Sequence, residues 1–289
     1  KKYAAKVSLI DDEDLPYLDL ENTEIMPWGW NLALQNWLLE RSQGRLSHLL
    51  PSQTQLEAYR TLCSRGWCAT HLLPHLVANL ADAVGSAHAF SSDAALFAHL
   101  KATDNGPFRQ YVLKAPWSSS GRGLRYVDMQ REGITPHLQG WVANVIAKQG
   151  YIMAEPYYNK VFDFGMEFHA HKNGSVDYLG LSVFHTVNGA YAGNLLANEA
   201  DKQELMSRYV SSSVLKTLCD AVKHFMPAQL QGIYAGPFGI DMMIVGEGKI
   251  HPCVELNLRR TMGHVALSLS AKQHSRRSMQ ITYKNGRYS

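Results

Sequence analysis

The chain has 289 residues, 46% of them hydrophobic and 10% aromatic, which is ample for a large buried core in one big domain or two smaller ones. Charged residues make up only 18%, and Lys+Arg 28 against Asp+Glu 25 leaves a formal +3, so the balance favours neither a polyanion binder nor an acidic tail. No stretch approaches the roughly 20 apolar residues that a bilayer crossing needs.

The cysteines Cys63, Cys68, Cys219 and Cys253 are too scattered for a disulfide framework and form no C-x-x-C pair, which argues against a structural zinc site. They read as reduced thiols of a cytoplasmic protein without a signal peptide. The opening Lys1-Lys2-Tyr3 lacks Met, so residues are expected upstream of it.

An acidic start, Asp11-Asp12-Glu13-Asp14, leads into the aromatic cluster Pro27-Trp28-Gly29-Trp30. A helix is predicted over 31–40. Another begins near Pro51-Ser52, where Ser52 can cap the turn before Leu56. Residues 60–100 read as further helices separated by Gly66, Pro74 and Gly85. From Gln110 the pattern turns to strands: 110–114, then a Ser/Gly loop, a helix over 135–148 and a strand over 151–155. Segments 163–172, 175–186 and 190–194 alternate and are separated by Asn173-Gly174 and Asn188-Gly189, strong hairpin signals. One long helix over 201–225 precedes strands 238–245 and 250–259 and a short helix over 263–272. The fold class is α+β or α/β with largely antiparallel sheets.

The last hairpin carries the first constellation. On its second strand His251, Cys253, Glu255, Asn257 and Arg259 share one face. A two-residue turn at Glu247-Gly248 would set Asp241 across from Val254. A three-residue loop, Glu247-Gly248-Lys249, pairs Asp241 with Glu255 and Met242 with Val254, keeping each face chemically uniform. That second register is the expected one. It converges Asp241, Glu255 and Asn257, all hard oxygen donors, on a patch suited to Mg²⁺ with substrate phosphates; an exposed acidic face is the plainer reading.

Lys114, at a strand end, is followed by Ser118-Ser119-Ser120-Gly121-Arg122-Gly123, offering an ammonium and unobstructed backbone N–H groups to phosphate oxygens. The order is not that of a Walker A loop, in which Lys follows the glycines. Glu155-Pro156-Tyr157-Tyr158, leaving a strand, offers a rigid backbone and apolar ring faces to a flat heterocycle, or plain core aromatics.

In this order, Val112–Gly123, Ile152–Tyr157, Gly239–Met243 and Glu255-Leu256-Asn257-Leu258-Arg259 resemble the ATP-grasp superfamily over about residues 88–270. The resemblance implies two α+β lobes gripping ATP, with lobes over 88–155 and 156–289 and a mainly helical region over 1–87. It implies that Lys114 holds phosphate oxygens and that the loop with Ser118, Ser119, Ser120, Gly121 and Gly123 closes over them. Glu155, Pro156, Tyr157 and Tyr158 would meet the adenine edge. Asp163 would take the ribose, and Asp241, Glu255 and Asn257 would carry Mg²⁺. Arg259 and Arg260 would face a carboxylate or acyl phosphate. The sequence departs from the pattern before the Lys114 strand, where Ser91-Ser92-Asp93-Ala94 holds no lysine and Lys101 is the nearest, and the upstream substrate domain is not recognisable in residues 1–85.

Other features are discounted. Asp163-Phe164-Gly165 lacks the H-R-D loop of kinases, Pro74 lies between His71 and His75, and His169 and His171 read as ordinary strand histidines. The basic tail with Lys272, Arg276, Arg277, Lys284 and Arg287 reads as a solvated terminus. The expected activity is an ATP- and Mg²⁺-dependent ligase joining a small carboxylate to an amine or thiol, with no nucleic-acid or membrane partner. A phosphotransferase, a non-catalytic nucleotide-binding module and a metal-dependent hydrolase at Asp241 and Glu255 are the alternatives.

Overall fold

The computed structural model describes residues 8–20, 23–102, 109–118, 123–187, 190–246, 248–270, 275–281, 283–284 and 287–288. The chain divides into two compact units, 1–60 and 61–289. Residues 61–87 therefore belong with the strands that follow them.

In the first unit, helix α1 (Leu32–Arg41) is capped by Asn31, whose side chain accepts from the Leu34 N–H at 2.9 Å. Leu15, Leu38 and Leu46 form its core, with Leu34 and Leu49 packed against them. Helix α2 (Gln53–Leu62) opens on a reciprocal cap: Ser52 Oγ accepts from the Gln55 N–H at 3.2 Å, and Gln55 Oε1 from the Ser52 N–H at 2.9 Å.

The second unit begins with a helical run that Gly66 and Pro74 do not interrupt, contrary to the sequence expectation. Ser64 caps α3 (Arg65–Trp67), a π turn follows over Cys68–Leu72, and α4 (Leu73–Ala78) continues it. The wide turn hands the Leu73 N–H to the Cys68 carbonyl, and Pro74, in the first turn of α4, has no N–H to place.

A four-stranded antiparallel sheet has the order β1 (His88–Phe90), β4 (Ile152–Pro156), β2 (Gln110–Lys114), β3 (Leu124–Asp128). Strands β1 and β3 are absent from the sequence expectation. One face, with Tyr111, Leu113, Val127, Ile152 and Ala154, packs on Leu96 and Leu100 of α5 (Asp93–Ala102) and Leu138, Val142 and Val145 of α6 (Pro136–Gln149). Thr135 caps α6 through the Leu138 N–H, and Gly150 ends it at φ 85°. The opposite face carries Val112, Lys114, Met153 and Glu155, because β2 and β4 pair Lys114 with Met153 and Val112 with Glu155.

A six-stranded antiparallel sheet has the order β10 (Arg277–Gln280), β7 (Ala190–Leu196), β6 (Val176–Val187), β5 (Lys160–Ala170), β8 (Gly236–Val245), β9 (Lys249–Asn257). The Asn173-Gly174 turn joins β5 to β6, with Gly174 at φ 88°; the Asn188-Gly189 turn lies outside the described residues. The single helix expected over 201–225 is two helices, α7 (Glu199–Met206) and α8 (Ser212–Leu230). The hydroxyl of Ser211 accepts from the Val214 N–H and starts a new helix there, a competition with the backbone that serine favours. Helix α9 (Met262–Ser270) packs on β5, β6 and β7.

The basic tail is also corrected. Strand β10 pairs with β7, and Arg276 binds Asp201 at 3.2 Å and Glu204. A two-stranded β11 (Tyr283–Lys284) and β12 (Arg287–Tyr288) follows, while Lys272 lies outside the described residues. Among the described residues no helix is long and apolar enough to cross a membrane.

The β8–β9 hairpin reaches the expected pairing by an unexpected path. Val245 pairs with Lys249, so the loop is 246–248, one residue earlier than predicted. Continued unbroken, that register would set Asp241 opposite Cys253. A bulge over Pro252–Val254 shifts it by two residues, so Asp241 meets Glu255 while Met242 does not pair with Val254. Pro252 has no N–H for a ladder, and a two-residue shift preserves which face each side chain occupies.

Candidate functional site

The site is built from charged side chains on one face of each sheet. On the small sheet, Lys114 Nζ pairs with Glu155 at 2.5 Å, and both side chains are only 9% exposed. The loop after Lys114 is pinched at its base: the Ala115 N–H donates to the Gly123 carbonyl at 2.8 Å, and a side chain at Gly123 would collide with Ser118. Gly123 thus serves close backbone approach. Ser119, Ser120 and Gly121 lie outside the described residues.

The segment after Glu155 is anchored at both tyrosines. The Tyr157 N–H donates to the Gln110 carbonyl at 2.8 Å, and its ring, partly exposed, meets Tyr126 edge-on. Tyr158 Oη accepts from the Ser86 N–H at 3.0 Å, and its ring stands edge-on to His251. Pro156 is buried and ends β4.

On the large sheet, Gly165 pairs with Asp241 and Asp241 with Glu255, while Glu167 pairs with Gly239 and Gly239 with Asn257. Glu167, Asp241, Glu255 and Asn257 therefore project from one face. Burial pushes the Asp241 carboxyl up to about 8, helped by the charges of Glu255 and then Glu167; Arg259 and a 3.1 Å hydrogen bond from Asn257 Nδ2 pull the other way. Asn257 Oδ1 accepts from Arg259 at 2.6 Å.

Arg259 follows the end of β9 instead of lying on it, so strand alternation does not aim it; its bonds to Asn257 and to the Arg260 carbonyl do. Arg260 is half-buried, and its charge reaches His169, whose pKa is lowered by burial first and by His171 and Arg260 as well. Asp163 lies on the same face of β5, where Lys160 Nζ (2.6 Å) and Thr186 Oγ1 (2.9 Å) already hold its carboxylate. His71 stacks on Trp67 and His75 on Phe225, as packing residues.

The roles of three residues escaped the sequence reading. Arg65 joins the two halves: one terminal nitrogen donates to Ala115 O at 2.7 Å and Ser118 Oγ at 2.9 Å, the other to Glu255 Oε1 at 3.0 Å. No local pattern marks it, since Glu255 is 190 residues away. Glu167 is buried against Thr261 Oγ1 (2.8 Å) and His264 Nδ1 (3.0 Å), where Gly239 and Gly263 leave room for its carboxylate. The period-two step from Asp163 was its available signal. His251 lies beside Lys114 and Glu155, its pKa pulled down to about 4 chiefly by burial.

Among the described residues no three His, Cys, Asp or Glu side chains gather as a metal cage. Two opposed carboxylates and a carboxamide are a partial donor set, the kind Mg²⁺ completes with waters and phosphate oxygens. Asp241 and Glu255 face each other in the ladder with Asn257 two residues along, so the hard oxygen donors present fit a divalent cation.

This α+β fold of two antiparallel sheets, with a pinched loop and an acidic hairpin, is shared by solved ATP-grasp structures. The chain is similar to a biotin carboxylase–β,γ-ATP complex from Campylobacter jejuni (TM-score 0.54, 17% identity, covering 81% of this chain and 48% of that chain). It is likewise similar to the biotin carboxylase domain of the Hydrogenobacter thermophilus 2-oxoglutarate carboxylase, in complex with MgADP, ADP and bicarbonate (TM-score 0.53, 12% identity, 85% and 53%). A third is N5-carboxyaminoimidazole synthetase from Staphylococcus aureus with ADP (TM-score 0.47, 13% identity, 70% and 46%). The chain spans about half the length of these proteins. No family model matches the sequence, and a search of curated proteins finds no match.

Proposed function

We propose that the chain carries the nucleotide site of an ATP- and Mg²⁺-dependent ligase that joins a small carboxylate to an amine or thiol through an acyl phosphate. One observation supports this most: a single guanidinium, that of Arg65, spans from the loop base at Ser118 to Glu255, directly opposite Asp241. A loop suited to phosphate oxygens and a carboxylate patch thus lie one side chain apart. The ATP, MgADP and bicarbonate of the similar structures are consistent with that use.

In this reading residues 88–155 form the lobe over the phosphates, and 156–289 the lobe with the metal-binding strands. Lys114 and the loop from Ser118 through Ser119, Ser120, Gly121 and Gly123 hold phosphate oxygens, and Lys114 exchanges part of its bond to Glu155 for them. Glu155, Pro156, Tyr157 and Tyr158 line the base, and Asp163 accepts from the ribose. Asp241, Glu255 and Asn257 would hold Mg²⁺, which would supply positive charge against that of the phosphates. Arg259 and Arg260 orient the substrate carboxylate for attack on the γ-phosphorus, which releases ADP and leaves an acyl phosphate; an amine or thiol then attacks the acyl carbon, releasing phosphate and a proton. The residues position and neutralise; none serves as a nucleophile.

The test is hydroxylamine trapping. With ATP, Mg²⁺ and the correct acid, drawn from amino acids, dicarboxylates and short peptides, hydroxylamine should yield a hydroxamate. A phosphorylated alcohol would point to a phosphotransferase, and tight ATP binding without turnover to a binding module.

A further inference from the structure

Arg65 is held more firmly than a surface ion-pair partner. It opens the short helix capped by Ser64, and its own N–H donates to the Pro116 carbonyl at 3.2 Å. Its side chain is 9% exposed, against 29% for Glu255, so the guanidinium is the buried, fixed member of the pair and the carboxylate the movable one. The nitrogen that binds Ala115 O and Ser118 Oγ ties it to the loop base independently of Glu255. Lys114, at the base of the loop, is engaged by Glu155. Among the described residues Glu255 is the carboxylate of the opposed pair that an arginine bonds directly, while Asp241 receives the carboxamide of Asn257 as a hydrogen-bond donor.

We infer that Arg65 is the site's built-in counter-cation: it neutralises Glu255 while the metal position is empty, yields that carboxylate to an arriving divalent cation, and turns the freed end of its fork to the phosphate oxygens beside Ser118. The inference rests on the proposed nucleotide site and adds a residue from outside the segments that the fold resemblance covers. It assigns Arg65 two opposite effects. Against metal alone it is a competitor, because a divalent cation must displace it from Glu255. Toward a nucleotide it is a partner, because it adds positive charge beside Ser118 at the base of the loop. A residue that merely braces the two lobes would have neither signature; its loss would weaken both ligands or neither.

The experiment separates the two signs. Mn²⁺ alone is titrated by electron paramagnetic resonance, without nucleotide, against the wild-type protein and Arg65→Met. Removing the competitor should tighten Mn²⁺ binding roughly five- to tenfold. ADP titrated at saturating Mg²⁺ should bind Arg65→Met about tenfold or more weakly, the scale of one charge-assisted hydrogen bond. If Arg65→Met melts far below the wild type, Arg65→Gln replaces it, since its amide keeps a donor for Ala115 O without the charge. Equal or weaker Mn²⁺ affinity in the variant, or no Mn²⁺ binding in either protein, overturns the inference. Failure of the wild type to bind ATP or ADP under any condition overturns the proposed function instead, and leaves the metal competition at Glu255 to be judged by the Mn²⁺ titration.

Discussion

Lys114 and Glu155 face each other diagonally across two strands: Lys114 pairs with Met153 in the ladder, yet its ammonium reaches the Glu155 carboxylate two residues along, at 2.5 Å. Both are nearly buried, so neither can lose its partner cheaply. Lys114→Ala should cost about 3–5 kcal/mol of stability, because it leaves a buried carboxylate uncompensated. In denaturant titrations Lys114→Met combined with Glu155→Leu should recover much of that loss. Nucleotide affinity of Lys114→Ala should fall by a further ~1.5–3 kcal/mol, measured by calorimetry at a temperature where the variant is folded. Unchanged affinity would remove Lys114 from the phosphate site.

Asp241 sets an alkaline limit. Its carboxyl, near 3.8 when unfolded, is pushed up to about 8 in the fold, so between those values the native state holds the extra proton. Its contribution is complete below about pH 4 and disappears as the pH rises through about 8, at most about 1.4 kcal/mol per pH unit. Metal-free melting temperatures should therefore decline from pH 5 to pH 8. Asp241→Asn should flatten that decline, and Mg²⁺ should raise the wild-type midpoint at pH 8 more than at pH 5. Identical pH profiles for the two proteins would contradict this account.

His251 sets an acid limit of opposite sign. Among the described residues, neither of its buried ring nitrogens finds a hydrogen-bond partner, and its pKa falls from 6.5 to about 4. The native state refuses a proton that the unfolded chain accepts, so stability is full above pH 6.5 and lost as the pH drops toward 4. His251→Leu should match or exceed wild-type stability at pH 7, by up to ~1–2 kcal/mol, because it removes unmet polar atoms. Urea unfolding at pH 4.5 should show a larger advantage than at pH 7.

Gly263 is needed for space. A methyl group there would overlap the Glu167 carboxylate and press on Ser182 Oγ, at the centre of the Glu167–Thr261–His264 network. Alanine favours a helix by about 1 kcal/mol over glycine, but overpacking costs ~1–3 kcal/mol and disturbs buried hydrogen bonds. Gly263→Ala should lower the unfolding midpoint in urea; a rise would mean that Glu167 moves aside freely.

Arg259 distinguishes a ligase from a binding protein. Its guanidinium is held by Asn257 at 2.6 Å, and in the proposed reading it meets the incoming acid. Arg259→Ala should abolish hydroxamate formation while ATP affinity changes by less than about threefold, since its bond belongs to the acid and the transition state. Equal loss of both would reassign it to the nucleotide.

The local elements were written in the sequence because their causes are local. Thr135, Pro136 and Gly150 bound α6 by capping and by a left-handed end; Asn173-Gly174 makes its hairpin by turn chemistry. The order of Lys114, Glu155, Asp241 and Glu255-x-Asn257 along such strands was enough to indicate the fold. The face shared by Asp241 and Glu255 followed from alternation, which depends only on parity. The path to that pairing did not: the bulge at Pro252 shifts the register by two residues, and parity cannot reveal a shift of two. The break between α7 and α8 turned on whether Ser211 capped a new helix or rode within an old one, a balance of a fraction of a kcal/mol that packing decides. Arg65, Glu167 and His251 acquired their roles only through contacts between distant segments. Desolvation and charge act through space, so the carboxylate that Arg65 neutralises, the proton that Asp241 retains and the one that His251 refuses were decided by the assembled sheets alone.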